Sequence, residues 1–295
     1  QDKLKEAAGY FAKVAAFPKH PFAQDAALQC AILHIRNKDV KSAQSALKKM
    51  MSGKNPIKAD QGAYYLGLAI ARQEDDPKPK NNEKRYTAAL ANFETVLTKY
   101  PKSDKAPNAL FWKGKCIEKL PARGGPVKAA EIYAQFIKQY PAHELRPDVT
   151  IDMGKIQFDA KKYDEVIAAM KALLALDAEK KITGTLRANA LYLLGWSYSK
   201  VGKSEASATA LEEMAGLQGK QGVTNASASF QAGEARMKLR QYEDALKHFR
   251  KAVEAGKGPT HEPSLLRRAE CEALTGKWEE SRRSCQELLK LYPKS

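Results

Sequence analysis

Cysteine and histidine, the side chains most often used as nucleophiles and metal ligands, are few and scattered in this chain. The five histidines occupy positions 20, 34, 143, 248 and 261, and the four cysteines positions 30, 116, 271 and 285. No C-x-x-C pair occurs, and no histidine lies at metal-ligand spacing from residues that would complete a site. The G-x-S-x-G and H-E-x-x-H motifs of hydrolases and metalloproteases are also absent from the sequence. We therefore expect a protein without enzymatic activity, a metal ion or a cofactor.

The four cysteines have two interpretations. In the first, all four are small apolar side chains buried in a core, which is the common environment of free cysteine. In the second, Cys271 and Cys285 form a disulfide, whose geometry the sequence does not determine. The cysteines therefore leave the cellular compartment open.

The segment SYSKVGKS, residues 197–204, resembles a phosphate-binding loop in its last three letters. Such a loop needs a glycine-rich turn that follows a strand, so that backbone N–H groups can surround the phosphates. Here the first position is Ser197, and a helical pattern precedes it. We interpret GKS as a turn between two helices.

An apolar pattern of helical spacing recurs along the whole chain. It consists of a small residue followed by larger or apolar residues four and seven positions later, which is one face of a helix. We call the first residue of each set the anchor. The anchors are Ala7, Ala43, Ala89, Ala129, Val166, Ser207, Ala245 and Ser281. The residues four positions later are Phe11, Leu47, Phe93, Tyr133, Met170, Leu211, Phe249 and Cys285.

A second set of small residues lies in the helical segment before each anchor. Glycine in a helix interior costs about 0.5–1 kcal/mol relative to alanine, so its recurrence in register indicates close packing. We predict that each of these residues lies where the first helix of a pair crosses the anchor of the second. The set is Ala31, Gly67, Gly114, Gly154, Gly195, Gly233 and Ala269.

The segments NALYLLGWSYSKVGKSEAS (189–207) and AECEALTGKWEESRRSCQELLKLYP (269–293) resemble tetratricopeptide repeats (TPR). They share the small residue of the first helix and the anchor, and the second segment also has an aromatic residue, Trp278, before its second helix. The resemblance implies an all-α, right-handed superhelical solenoid of antiparallel helix pairs. The Tyr-Pro endings at 100–101, 140–141 and 292–293 are similar to those of bacterial cell-envelope TPR proteins. This narrower resemblance implies the bacterial periplasm or envelope.

The pattern predicts a single TPR array over residues 1–295. It begins with a second helix at about 3–17 and continues with seven helix pairs. The pairs lie at about 22–52, 58–101, 105–141, 146–177, 184–217, 223–256 and 261–293. The second pair contains EDDPKPKNNEKR (74–85), which has no apolar residue and which we predict to be a mobile loop.

One side of the first helices combines aromatic and basic residues. The positions three before, one after and five after each small residue of the first helix form a stripe along that helix. Five of the seven residues at the last of these positions are basic. In TPR folds this stripe lines the concave groove, so the resemblance implies a partner-binding surface. We call its candidates the groove residues: Arg36, Tyr64, Arg72, Phe111, Lys115, Lys119, Lys155, Tyr192, Trp196, Lys200, Phe230 and Lys238.

A structural interpretation of the same residues remains open. The aromatic side chains are also explained as core residues. The basic ones are explained as cations at helix C-termini, where the helix dipole favours positive charge.

The net charge of +16 favours acidic partners. We therefore expect a non-enzymatic scaffold that holds an extended or helical, acidic protein segment in the groove, within a larger assembly. The alternative is a helical repeat protein that binds single-stranded nucleic acid, with aromatic residues stacking on bases and cations along the phosphates. No run of 18 apolar residues occurs, so we expect no transmembrane segment. The sequence leaves the oligomeric state open.

Overall fold

A computed structural model describes residues 2–52, 58–176, 184–217 and 222–295. Throughout these residues the regular structure is helical and no strand occurs, which confirms the all-α prediction. The chain divides into two compact parts, Gln1–Val149 and Thr150–Ser295, and the boundary lies within one helix. The predicted end of one unit at residue 177 lies outside the described residues, and the single array over 1–295 stays a prediction.

Within its described residues, the first part contains seven complete helices, and each packs against the next along the chain. The first helices of neighbouring pairs also contact one another. A short 3₁₀ turn, Pro121–Arg123, precedes the last of the seven. The helices are α1 Asp2–Ala15, α2 Ala23–Arg36, α3 Val40–Met51, α4 Ala59–Ala71, α5 Pro79–Lys99, α6 Ala106–Glu118 and α7 Gly125–Gln139.

Helix α8, Arg146–Asp159, crosses the boundary, and seven further helices follow in the described residues of the second part. They are α9 Tyr163–Ala175, α10 Gly184–Lys200, α11 Ser204–Gly216, α12 Gly222–Lys238, α13 Tyr242–Glu254, α14 His261–Leu274 and α15 Trp278–Leu291. From α9 onward, each helix packs against the next.

The crossing of first and second helices involves both the anchor and the residue four positions after it. A Cβ atom added to Gly67 would lie 2.9 Å from the ring of Phe93, and one added to Gly114 only 2.3 Å from the ring of Tyr133. The missing side chain therefore makes room for the large residue, a partner that we did not predict from the sequence. The predicted contact with the anchor is confirmed in the pair α10–α11, where the Ser207 hydroxyl donates a hydrogen bond to the carbonyl oxygen of Gly195.

The turns inside the helix pairs share one backbone feature. The residue seven positions after the small residue of the first helix has a positive φ in five of the seven pairs. Glycine occupies this position at Gly202 and Gly276. Because glycine has no Cβ atom, it adopts the left-handed conformation without steric strain. A basic residue adopts the same conformation in the other three pairs, at Lys38, Lys161 and Arg240.

The charged segment 74–85 differs from the predicted loop. Its second half is helical, because α5 begins at Pro79. Arg85 is only 9% exposed, and its guanidinium donates hydrogen bonds to the carbonyl oxygens of Gln73 and Glu74, at 2.6 and 2.5 Å, and pairs with Asp75. Arg85 therefore connects α5 to the residues at the start of the segment by hydrogen bonds. The prediction that the whole segment 74–85 is a mobile loop was wrong.

Candidate protein-binding surfaces

The basic groove residues lie at the ends of the first helices. Arg36, Lys200 and Lys238 are the last residues of α2, α10 and α12, and all three are exposed. Arg72 and Lys119 follow immediately as the C-caps of α4 and α6. These positions agree equally with a binding role and with stabilisation of a helix C-terminus.

In the first part, two basic groove residues from adjacent first helices line one cavity. Arg36 and Arg72 border a space of about 410 Å³, together with Lys38 and Glu74. Among the described residues, Arg36, Arg72 and Lys38 form no ion pair with a carboxylate. A cavity with three cations and a single carboxylate is suited to an anionic group.

Aromatic rings continue from this cavity toward α6. The guanidinium of Arg72 lies 5.5 Å from the ring centroid of Trp112, a cation–π distance. Trp112 stacks on Phe93 at 6.2 Å and contacts Phe111 edge-on at 6.1 Å. Trp112 is partly exposed, so it belongs to the surface that Arg72 and Phe111 form. We did not select it from the sequence, since it lies beside the stripe rather than on it.

Tyr64 lies below this surface. Its ring is 6% exposed and contacts the rings of Tyr65 and Phe93, and burial raises the pKa of its hydroxyl to about 12. The ring can therefore support the position of Phe93 but offers little surface to a ligand.

The lysines of α6 have acidic neighbours. Lys115 lies 4.0 Å from Glu118, one turn along the same helix. Lys119 is exposed and approaches Asp75, whose pKa is lowered mainly by the hydrogen bond from Arg85 and to a smaller extent by the charge of Lys119. These two lysines are therefore less available to an anionic ligand than Arg36 and Arg72.

In the second part, α10 presents the most accessible aromatic pair. Tyr192 is 36% exposed, and its ring centroid lies 6.0 Å from that of Trp196, which is partly buried. The indole Nε1 of Trp196 is buried and has no hydrogen-bond acceptor among the described residues. Lys200 extends the same side of α10. The accessible part of this helix face therefore combines a flat apolar surface with a cation.

The remaining groove residues of the second part are less accessible or already paired. Phe230 is partly buried against Phe249, with ring centroids 5.7 Å apart, and belongs to the edge of the core. Lys155 lies 3.1 Å from Asp152 on its own helix. The stripe is also acidic near its end, where Glu234 accepts a hydrogen bond from the Nε of Arg267 at 2.6 Å.

The chemistry of the cysteines differs from one prediction. Cys30, Cys116 and Cys271 are buried, as expected, but Cys285 is exposed and all four are free thiols. The interpretation that all four are buried was therefore wrong for Cys285, and Cys271 and Cys285 form no disulfide.

Across the described residues, no group of three or more histidine, cysteine or acidic side chains is arranged to hold a metal ion. Nor does any described helix combine the length and apolarity that a membrane span requires.

The architecture is one of repeated helix pairs, and in five of them a glycine of the first helix accommodates a large residue of the second. Two family profiles described as tetratricopeptide repeat match this chain, at residues 230–295 and 108–143. With the all-helical fold, these matches show that the chain contains tetratricopeptide repeats. A further profile, described as outer membrane lipoprotein, matches residues 1–120. No curated protein sequence matches.

Solved structures of TPR proteins have the same fold. The C-terminal part of a TPR repeat-containing protein from Cytophaga hutchinsonii is 14% identical with a TM-score of 0.64, and the match covers 91% of this chain and 96% of that one. Pseudomonas aeruginosa pilF is 17% identical with a TM-score of 0.54, covering 81% and 94%. YrrB, described as a TPR protein with an unusual peptide-binding site, is 14% identical with a TM-score of 0.52, covering 68% and 93%.

Proposed function

We propose that this protein is a non-enzymatic scaffold that binds an acidic protein segment, extended or helical, on the stripe of its first helices. The observation that carries the proposal is the cavity lined by Arg36 and Arg72, whose charges have no carboxylate partner among the described residues. Arginine binds carboxylates through two parallel N–H donors, so two arginines on adjacent helices suit successive acidic side chains of one segment. Trp112 beside Arg72 supplies an apolar contact for the same segment.

The second part contributes its own contacts to the proposal. Tyr192 and Trp196 are the aromatic residues on which a ligand would rest, and Lys200 and Lys238 are cations without an ion-pair partner among the described residues. Aromatic residues of this kind contribute more to interface stability than exposed lysines do. The peptide-binding site reported for YrrB, a protein of the same fold, is consistent with a binding role.

The test compares two anionic probes of similar length, a fluorescein-labelled decaglutamate and a labelled oligothymidylate of ten nucleotides. We expect anisotropy titrations at moderate salt to show saturable binding of decaglutamate. The double variant Arg36→Glu/Arg72→Glu should weaken it by about tenfold or more, since it replaces two attractive charges by repulsive ones. The matched control is Lys41→Glu/Lys48→Glu, which makes the same charge change at exposed residues of α3.

An equal loss in both double variants would show a general effect of net charge and contradict the groove. The oligonucleotide could instead bind more tightly than decaglutamate, with a steep salt dependence that Arg36→Glu/Arg72→Glu abolishes. That result would show that the ligand is single-stranded nucleic acid and not a protein segment. The thermal midpoint of each variant is measured alongside, because exposed charges contribute little to folding.

We further propose that the scaffold works in the bacterial envelope, within a larger assembly. The match of residues 1–120 to a family of outer membrane lipoproteins supports this location, as do the Tyr-Pro endings of the repeats. Fractionation of cells that express the natural, tagged protein should recover it with the envelope. If the protein is recovered only with the cytoplasmic marker, the envelope location is contradicted. The proposal that the groove residues bind an acidic segment does not depend on this result.

A further inference from the structure

The cavity beside α2 and α4 contains one carboxylate among its cations. Glu74 lines this cavity together with Arg36, Lys38 and Arg72, and all four side chains are exposed. Within the described part of the chain, the Glu74 carboxylate forms no ion pair and accepts no hydrogen bond. The four charged groups therefore border one space without neutralising one another. A ligand that enters it meets three available cations and one available anion.

The turn that carries Glu74 is longer than the equivalent turns. Seven residues, 72–78, separate α4 from α5, whereas three residues separate the two helices in five of the seven pairs. Arg85 of α5 fixes the start of this longer turn, because its guanidinium donates hydrogen bonds to the carbonyl oxygens of Gln73 and Glu74. These bonds use the main chain of Glu74 and leave its carboxylate available to another group.

The carboxylates next in sequence to the lining residues are already engaged, unlike that of Glu74. They are Asp39, which contacts His34 and the backbone N–H of Ser42, Asp75, which pairs with Arg85, and Asp76, which accepts hydrogen bonds from the backbone N–H of Lys78 and the side-chain amide of Asn81. Glu74 is therefore the carboxylate that a ligand can engage at this cavity.

Apolar side chains complete the wall of the cavity. Ile35, Val40 and Ala69 line it together with the charged groups. A lysine or arginine side chain has an apolar stem and a charged end, so its stem can contact such a surface while its end pairs with a carboxylate. The cavity is therefore complementary to a basic side chain as well as to acidic ones.

We propose that the partner segment carries a lysine or arginine between its acidic residues, and that Glu74 is the residue that selects it. This inference rests on the proposed function, because it specifies the segment that the groove binds. In the complex, carboxylates of the segment pair with Arg36 and Arg72, and the basic side chain pairs with Glu74. A uniformly anionic ligand places a negative charge against Glu74, which disfavours its binding.

The test compares two labelled peptides, each a decaglutamate in which one central glutamate is replaced, by lysine in the first and by glutamine in the second. Both are titrated with the full chain and followed by anisotropy. We expect the lysine peptide to bind about threefold more tightly, which is the effect of one exposed ion pair. General attraction to a protein of net charge +16 predicts the opposite order, because the lysine peptide is less negative. The order of the two peptides therefore reports a local contact.

Two protein variants assign this contact to one carboxylate. Glu74→Gln should reverse the order, so that the glutamine peptide binds more tightly, since only the general attraction remains. Asp76→Asn is the matched control, because it removes the same charge from the same turn, at a carboxylate that already has partners. The order of the two peptides should stay as in the wild type. Circular dichroism checks that both variants keep their helical content.

Equal binding of the two peptides to the wild type, or tighter binding of the glutamine peptide, would overturn the inference. A preference for lysine that Glu74→Gln leaves unchanged, or that Asp76→Asn also abolishes, would overturn it as well. In each of these cases the proposed function stands if Arg36→Glu/Arg72→Glu still weakens the binding of both peptides. If neither peptide binds saturably to the wild type or to Glu74→Gln, both proposals are refuted.

Discussion

The Ser207 hydroxyl donates a 2.8 Å hydrogen bond to the carbonyl oxygen of Gly195, across the crossing of α10 and α11. Both residues are buried. The same bond recurs in the last pair, where Ser281 donates to the carbonyl oxygen of Ala269, also at 2.8 Å. Where the anchor is serine, its hydroxyl therefore adds a hydrogen bond to the close packing of the two helices.

Ser207→Ala should lower the free energy of unfolding by about 1 kcal/mol, the net contribution of a typical buried hydrogen bond. Thr209→Ala is the control. The Thr209 hydroxyl is exposed and bonds within its own helix to the carbonyl of Glu205, so its loss should change stability by less than about 0.5 kcal/mol. Urea midpoints followed by circular dichroism compare the two variants. Equal midpoints would show that the inter-helix bond contributes nothing.

Gly114→Ala should destabilise the chain by about 1–3 kcal/mol, because the new methyl group would lie 2.3 Å from the fully buried ring of Tyr133. Gly9→Ala tests the opposite effect in the same measurement. Gly9 lies inside α1 with open space around its Cβ position, so alanine should stabilise by about 0.5–1 kcal/mol. Destabilisation by both substitutions to a similar extent would contradict the packing explanation.

The left-handed position of the turns offers a stabilising substitution. Arg240 has a φ of 58° and is exposed, so Arg240→Gly should raise stability by about 0.5–1 kcal/mol through relief of backbone strain. Gly276→Ala, at the same position of the last pair, should lower it by about 1–2 kcal/mol. Arg240→Ala is the control for loss of the side chain, since alanine keeps the strain. If it stabilises as much as glycine, the φ angle is not the cause.

The sequence predicted the repeat and its period because apolar spacing records one helix face directly. It did not predict that Arg85 would bind the carbonyls of Gln73 and Glu74, since that bond joins residues whose approach depends on where α5 begins. Nor did it predict the exposure of Cys285, because the spacing that buries Phe249 in α13 leaves the equivalent residue uncovered in α15. The basic groove residues could be selected from the sequence. The cavity that Arg36 and Arg72 share could not, because it forms only where α2 packs on α4.

The native protein should react with a thiol reagent at one cysteine. Cys285 is exposed, whereas burial raises the pKa of the Cys30 thiol and raises those of Cys116 and Cys271 to about 12. Since the thiolate is the reactive species, the buried thiols are both inaccessible and protonated. Maleimide labelling followed by intact mass should add one label to the folded chain and four after denaturation. Cys285→Ser should remove the native label, and labelling that persists in this variant would show that another cysteine is accessible.

The pH dependence of stability should carry the contribution of His248. Its Nε2 lies 2.9 Å from Glu212, but burial outweighs this contact and lowers the pKa of the imidazole from its ordinary 6.5. A histidine with a lowered folded pKa binds its proton more readily when unfolded. Its contribution to stability is therefore fully present above pH 6.5 and is lost as the pH falls from 6.5 through the folded value.

The pKa of Glu212 is also lowered, chiefly by its hydrogen bond from Arg236, and the stability from this carboxylate is lost only below its unfolded value of 4.5. Measurements between about pH 5 and 8 consequently isolate the histidine. His248→Gln retains a donor for Glu212 but does not titrate. Across that window the stability difference between wild type and variant should change by up to about 1.4 kcal/mol per pH unit, with the wild type losing stability toward acid. A constant difference from pH 8 to 5 would mean that the imidazole titrates alike in the folded and unfolded chains.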